Sequence, residues 1–481
     1  MSQPVPDPNR WKALAVLGVA YLMVVLDVSI VNVALPSIQE DLGFTTEDLQ
    51  WIVSGYALTF GGFLLLGGRA GDLLGRRLIF MLGLGAFALT SLIAGLSVNS
   101  GMLIGARIAQ GAAGAILAPS VFSIVLVTFA EGAERNKALG ILGAIAGSGA
   151  AIGVLMGGVL TEYAGWEWCF FVNVPIALIT LFLVPRFVRE SRAEGLLHHF
   201  DAGGAVTVTA SLMLLVFGLT QANRVGWVSL QTIGVLVASA VLMAIFIMLE
   251  LRSRSPLVPL SIFRRRTLTG ANLIGFGLGT VIFGMFFLLS LYMQQVLQFS
   301  PLRTGFGYLA VALTVIVAAA VSQALVTRLG VKPVLMVGFG LLTIGLVYFT
   351  FVSVGGSYVD DLLPGFLVLG VGMGFSFVPI SIAALAGVKG PEAGLASGLI
   401  NTSQQVGGAL GLAILTTVAT TRTSNLLDAG EAQPQALVSG FSLAFWVAAG
   451  FAVAAFLTTA FVLRRDDLKD VDPSLAAAPA G

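Results

Sequence analysis

Residues 12–36 read KALAVLGVAYLMVVLDVSIVNVALP, a run of 25 residues whose interior holds one ionisable side chain, Asp27. As a helix rising about 1.5 Å per residue, such a run crosses the roughly 30 Å hydrocarbon core of a bilayer. A carboxylate at that depth costs at least about 2.5–3.5 kcal/mol on insertion scales, so it needs a compensating role. Thirteen further apolar runs follow, at 49–68, 78–97, 102–128, 137–161, 168–188, 203–222, 227–251, 267–293, 304–327, 333–354, 360–385, 395–420 and 440–464. None shows the short alternation of barrel strands, and a helix satisfies its own backbone hydrogen bonds in lipid. The expected fold is an all-α membrane protein of 14 transmembrane helices. Composition agrees: 57% hydrophobic, 10% charged and a mean hydropathy of +0.97, where an ordinary soluble domain is about 25% charged.

Orientation follows from the basic residues. With the N-terminus in the cytoplasm the gaps alternate sides, and 21 of the 25 Lys and Arg then fall inside. They gather at Arg10 and Lys12, Arg69 to Arg77, Arg135 and Lys137, Arg186 to Arg192, Arg252 to Arg266, Arg328 and Lys332, Lys389, and Arg464 to Lys469. Only Arg224, Arg303 and Arg422 fall outside, and Arg107 lies within a span. The positive-inside bias places both termini in the cytoplasm and the chain in the cytoplasmic membrane. The first run is followed by an acidic loop without a small-residue cleavage site, so it reads as a retained span.

Several classes of function are excluded. Cys169 is the sole cysteine, which leaves no intramolecular disulfide and no Cys-based metal site. A net charge of +1 carries no nucleic-acid footprint. The chain has no Gly-Lys dipeptide, hence no P-loop, and its only histidines, His198 and His199, are adjacent in a linker. Neither an ATP-driven pump nor a metalloenzyme fits, and no cofactor or metal is expected.

The runs group as six within 1–190, two in a linker segment at 191–265, and six within 266–465, with an Ala/Pro-rich tail at 466–481 expected to be disordered. The two sets of six share faint internal similarity. Gly68-Arg69-Ala70-Gly71-Asp72-Leu73-Leu74-Gly75-Arg76-Arg77 follows the second run, and Gln323 to Lys332 follows the tenth, so that Gly75 aligns with Gly330 and Arg77 with Lys332. Likewise Arg107, Gly114 and Pro119 align with Leu367, Gly374 and Pro379. Duplicated halves around a central cavity are a transporter architecture, with the extra pair outside it.

Four patterns make the reading more specific. They are Leu26-Asp27-Val28-Ser29-Ile30-Val31-Asn32-Val33-Ala34-Leu35-Pro36, the Gly68–Arg77 loop, Arg107-Ile108-Ala109-Gln110-Gly111 with Gly114 and Pro119, and the glycine-rich fifth run. With them the chain resembles a major facilitator superfamily transporter of the fourteen-span drug:proton antiporter branch. The resemblance implies proton-driven efflux of small amphiphiles by alternating access, powered by the proton gradient. Its partners would be substrate, protons and the lipid bilayer, and it would act as a monomer. Two departures stand out: Val154 where the family normally has proline, and Glu167 where it usually has arginine between two tryptophans.

Asp27 and Arg107 are the candidate proton-coupling pair. The helix face of Asp27 carries Ala20, Met23, Ile30 and Ala34, none of which solvates it. Asp27 lies roughly 13 Å and Arg107 roughly 9 Å below the outer edge, depths that allow them to meet. A desolvated carboxyl favours its neutral form and a nearby cation its ionised form, so helix movement can bind and release a proton. A structural carboxyl and a snorkelling arginine are the competing readings. Gln110 shares the Arg107 face.

In the loop, Gly68, Asp72, Gly75, Arg76 and Arg77 serve topology by charge and, through the resemblance, gating. Gly149, Gly153 and Gly157 share one face of the fifth run, as close helix packing requires. Asn32, Gln110, Phe283, Phe286, Phe287, Tyr292, Asn401 and Gln404 are the substrate candidates, offering hydrogen bonds or stacking, with packing as the alternative. Without a second membrane carboxylate, monocations and neutral amphiphiles suit the chain better than dications. A proton:solute symporter or a dedicated metabolite exporter fits the same scaffold. Reporter fusions after residues 200 and 260 are expected to give a cytoplasmic signal at both points; an external signal at either removes the central helix pair from this topology.

Overall fold

In the computed structural model the described residues are 8–129, 133–191, 201–253, 256, 258, 260–385 and 393–463. The expected disordered tail, His198 and His199, and Lys389 lie outside them. The described residues are helical, without a strand among them. Fourteen long helices follow in order: α1 Arg10–Leu42, α2 Trp51–Leu74, α3 Arg76–Gly95, α4 Ser100–Thr128, α5 Ala133–Tyr163, α6 Asn173–Phe187, α7 Ala202–Val225, α8 Leu230–Arg252, α9 Arg266–Leu291, α10 Pro301–Leu329, α11 Val331–Phe349, α12 Leu363–Leu385, α13 Ala393–Asp428 and α14 Gln433–Phe461. Short turns precede α6 at Trp168–Phe171 and α12 at Tyr358–Leu362.

Ten of these helical segments, at α1, α3, α4, α6, α8 to α12 and α14, are long and apolar enough to cross a bilayer. The other four, α2, α5, α7 and α13, include positions whose side chains lie outside the described residues, and they share a placement at the contact between halves. Each packs on a helix of the opposite half or on the seam between halves. A face that meets protein can be small or polar, as the Asn401-Thr402-Ser403-Gln404-Gln405 run of α13 is. The polarity of α13 fits that placement.

Packing repeats along the chain. Within α1–α6, α2 lies on α4, α1 on α5, α3 on α4, and α6 on both α1 and α3. Within α9–α14 the same pairs recur eight helices later: α10 on α12, α9 on α13, α11 on α12, and α14 on both α9 and α11. The halves meet where α2 crosses α13 and α5 crosses α10. Helices α7 and α8 form a hairpin, with α7 lying across the α2–α13 seam. There Leu212 and Val216 pack with Ala57, Leu58, Ala409 and Ala413.

Two local features shape the first half. Helix α1 runs past Pro36, six residues beyond the expected end, and stops at Gly43, whose φ of 65° is the left-handed cap that glycine adopts freely. The sixth run, expected as one span from 168, is two pieces. Pro175 has no N–H to offer the Phe171 carbonyl, so the helix breaks there and restarts with Asn173 in its first turn.

The α9–α13 crossing is tight. A side chain at Gly279 would run into the Gln404 carbonyl, and one at Gly407 into the Phe276 carbonyl. Thr280 Oγ1 donates to the Gly407 carbonyl across the same contact at 2.8 Å. Gly279→Val or Gly407→Val is therefore expected to cost about 1–3 kcal/mol through overpacking and to lower the melting temperature of the purified protein. Gly340→Ala, which faces open space, is the control and should leave it unchanged. Equal melting of all three would remove backbone contact at this crossing.

Candidate functional site

The site begins with the spacing of α4. Arg107 and Gln110, three residues apart, share one helix face. Gly111 follows, and its missing side chain lets α2 lie against α4 at the Tyr56 carbonyl and the Thr59 hydroxyl. Thr59 Oγ1 donates to the Ile108 carbonyl at 2.8 Å, fixing the approach. Seven residues earlier on α2, the Ile52 carbonyl accepts from Arg107 Nε at 3.0 Å. The Tyr56 ring lies 4.3 Å from the guanidinium carbon and the Phe170 ring 5.7 Å, close enough for cation–π attraction to hold the group on its apolar sides.

Asp27 of α1 faces this guanidinium inside the first half. Arg107 Nη1 donates to Asp27 Oδ2 at 2.6 Å and to Gln110 Oε1 at 2.6 Å. Asp27 Oδ1 accepts from Gln110 Nε2 at 2.8 Å and from Asn173 Nδ2 at 3.0 Å. Gln110 Nε2 and Asn173 Nδ2 also reach the Ser91 hydroxyl, at 2.8 and 3.4 Å. Asp27 is 0% and Arg107 2% exposed, so water supplies none of this. Side chains of α1, α3, α4 and α6 and a carbonyl of α2 thus close one polar cluster. Sequence depth anticipated that Asp27 and Arg107 could meet, and the structure sets their contact among helices of the first half.

Three members were not singled out from the sequence. Ser91 and Asn173 are neutral polar residues in otherwise apolar runs, and Ile52 contributes only backbone. A lone asparagine beside the helix-breaking Pro175 was the available signal, since the break is what presents Asn173 at the end of α6.

The remaining candidates separate into groups. In the loop, Gly75 has φ 119°, a conformation that favours glycine. Arg76 N donates to the Ser191 carbonyl, and Arg77 N and Leu78 N donate to the two Glu190 carboxylate oxygens at 3.0 and 3.1 Å. Glu190, also unanticipated, thereby caps α3 with the charge a helix N-terminus prefers. Gly68 sits near Pro119; the side chain of Asp72 lies outside the described residues.

Helix α5 presents two faces. Gly149, Gly153 and Gly157 lie on α1, against Val25, Ser29 and the Ile30 carbonyl. Val154 and Gly158 turn to α10, where the Val154 carbonyl meets Gly305 and Gly158 meets Pro301 and Leu302. Valine at 154 leaves α5 unbroken from Ala133 to Tyr163 through that contact.

Among the substrate candidates, Phe283, Phe286, Asn401 and Gln404 are half-buried on α9 and α13. Phe287 and Tyr292 are fully buried in the second half, and the Tyr292 hydroxyl is already donating to the Ser353 carbonyl at 2.7 Å. Asn32 is buried and bonds back to the Val28 carbonyl of its own helix. Gln294 reaches across the halves to the Val33 carbonyl at 2.9 Å. Gln295 donates to Gln39, Thr402 to the Gly61 carbonyl, and Leu302 N to Glu162. These ties run from mid-height to the end remote from the chain's N-terminus, and hold the halves together there.

Comparison with known proteins adds a family and a fold. The profile described as Major Facilitator Superfamily matches residues 17–412. The puromycin resistance protein pur8 of Streptomyces alboniger is 37% identical over 99% of this chain and 96% of its own length. The cephamycin export protein CmcT of Amycolatopsis lactamdurans is 36% identical over 93% and 91%. Among solved structures, the POT family transporter PepTSo superposes with a TM-score of 0.71 at 14% identity, over 95% of this chain and 99% of that one, a likeness of fold.

Burial makes the Asp27–Arg107 contact asymmetric to mutation. Arg107→Met strands a carboxylate without water and is expected to cost about 3–5 kcal/mol, whereas Arg107→Met combined with Asp27→Leu should recover most of that stability. Thermal unfolding of the purified variants reads this out. A double variant no more stable than Arg107→Met would show that the ion pair is not the source of the loss.

Proposed function

The chain belongs to the Major Facilitator Superfamily, and from that premise we propose that this multi-pass membrane transporter exports antibiotics or similar small amphiphiles in exchange for protons. The observation that carries the proposal is the wholly buried Asp27 carboxylate with its three side-chain donors. An ionised carboxylate only accepts hydrogen bonds, while both amides around it can turn over and present oxygen instead. Asp27 can therefore take a proton with Gln110 or Asn173 turned to accept it, releasing Arg107 from the pair. Release frees α4 to move relative to α1, which links protonation to conformation.

The transport cycle we infer uses fourteen spans with both termini in the cytoplasm. The six-helix halves 1–190 and 266–465 rock about the seam, and the 191–265 pair stays beside it. Both halves reside in one chain, so a monomer suffices. The interhalf ties at Gln294, Gln295 and Thr402 close the outer end in this arrangement. Substrate then enters from the cytoplasm between the faces that carry Phe283, Phe286, Asn401 and Gln404. The Gly75 turn, Arg76 and Arg77, with Asp72, gate that inner end, and the glycine face of α5 slides on α1. The proton gradient supplies the energy and no cofactor takes part. Export of antibiotic-like compounds draws support from the relatives named for puromycin resistance and cephamycin export.

Proteoliposomes with an imposed proton gradient test the reading, with puromycin and a fluorescent dye panel as probes. Asp27→Asn keeps shape without a titratable proton, so gradient-driven flux should fall by about tenfold or more while insertion survives. Arg107→Lys keeps charge but not the planar fork, and is expected to retain part of the flux that Arg107→Ala loses. Wild-type flux in Asp27→Asn would place proton coupling elsewhere.

A further inference from the structure

An apolar groove of about 240 Å³ runs along the outside of the first half between α1 and α5. Trp11, Ala15, Gly18 and Leu22 form one wall, and Ile141 and Ile145 the other. Its narrow floor is Gly18, where an added side chain would press on the Ile145 methyl at 2.9 Å. From Trp11 to Leu22 the helix rises roughly 16 Å, about half of a roughly 30 Å hydrocarbon core. That is the depth of one leaflet. The volume is below the roughly 300–1,000 Å³ of pockets that enclose drug-sized ligands, so the groove suits one narrow chain better than a bulky compound.

The groove ends in positive charge. Lys137 lies one helical turn before Ile141 on the same face of α5, and its ammonium sits 5.3 Å from the Trp11 ring centre. Lys137 is exposed and makes no ion pair at salt-bridge distance among the described residues. Glu134 nearby is held by two hydrogen bonds from Arg10, at 2.8 and 3.1 Å. Those bonds, with the Arg10 and Lys137 charges nearby, hold the Glu134 carboxyl below the ordinary glutamate range, and its hydrogen bonds go to Arg10. Lys12 turns away from the groove to the Phe187 ring of α6. Trp11, set edge-on against Phe129 at 5.0 Å, is the kind of anchor that marks a membrane interface.

We propose that this groove is a binding site for an anionic phospholipid, with one acyl chain between α1 and α5 and the phosphate on Lys137. Leaflet-deep length, single-chain width and an available ammonium at the polar end together select that ligand. The site lies apart from Asp27 and does not rest on the proton-coupling reading.

The test is native mass spectrometry of the purified full chain in mild detergent, equilibrated with equal amounts of dioleoyl phosphatidylglycerol and dioleoyl phosphatidylcholine. One lysine near a phosphate contributes about 1 kcal/mol, so wild type should retain the anionic lipid about fivefold over the neutral one. Lys137→Gln should bring that ratio close to unity. Ala15→Phe, which fills the groove from an exposed position, should lose the retained lipid of either kind, and Ile141→Phe should do so from the opposite wall. Absence of preference in wild type, a preference that survives Lys137→Gln, or retention unchanged by both phenylalanines would each overturn the site. Displacement of the lipid by puromycin, one for one, would make the groove a substrate route and overturn it equally.

Discussion

A carboxylate shut away from water has to receive its hydrogen bonds from protein, and much of the first half is arranged to deliver them to Asp27. Arg107 and Gln110 arrive from α4, Asn173 from α6, and the Ser91 hydroxyl of α3 takes up the spare amide protons. The Ile52 carbonyl of α2 occupies another donor of the guanidinium. Each contact demands a particular approach of helices: Gly111 so that α2 can touch α4, and the break at Pro175 so that α6 can present Asn173. Desolvating both charges is expensive, and a protein donor on each carboxylate oxygen is what offsets it. Such a cluster changes state as a unit, because moving any one member leaves a buried polar atom exposed to nothing.

The parts of the fold that depend on hydropathy and charge were readable from the chain. Ten apolar helices follow from their runs, and the Asp27–Arg107 contact from two lone charges at matching depth. What could not be read depends on which face of a helix meets protein. Phe283 and Phe287 are a turn apart in one apolar run, yet the first is half-buried and the second is in the core. Asn173 differs little in local sequence from many structural asparagines, and only the packing of α6 on α1 gives it a carboxylate to bind. Glu190 was unreadable for the same reason, since its service to α3 spans more than a hundred residues of chain.

The duplicated pairing of helices also explains an asymmetry between halves. Among the described residues the cluster around Asp27 has no counterpart ion pair in the second half, where Leu367 aligns with Arg107. There the helix contacts are made by backbone against backbone, as at Gly279 and Gly407, and by aromatic packing around Phe349, Phe366 and Phe445. Close backbone approach occurs in both halves, as at Gly111 and Gly157 in the first, and the buried ion pair is what distinguishes the first half.

The hairpin of α7 and α8 makes the two flanks of the molecule unequal. On one flank α7 covers the line where α2 meets α13; on the other, no further helix among the described residues lies over both α5 and α10. A bilayer therefore wets one joint directly and meets the second only through a protein shield. Outward-facing substitutions on α5 and α10 therefore reach their contact directly, whereas the α2–α13 contact is reached only past α7.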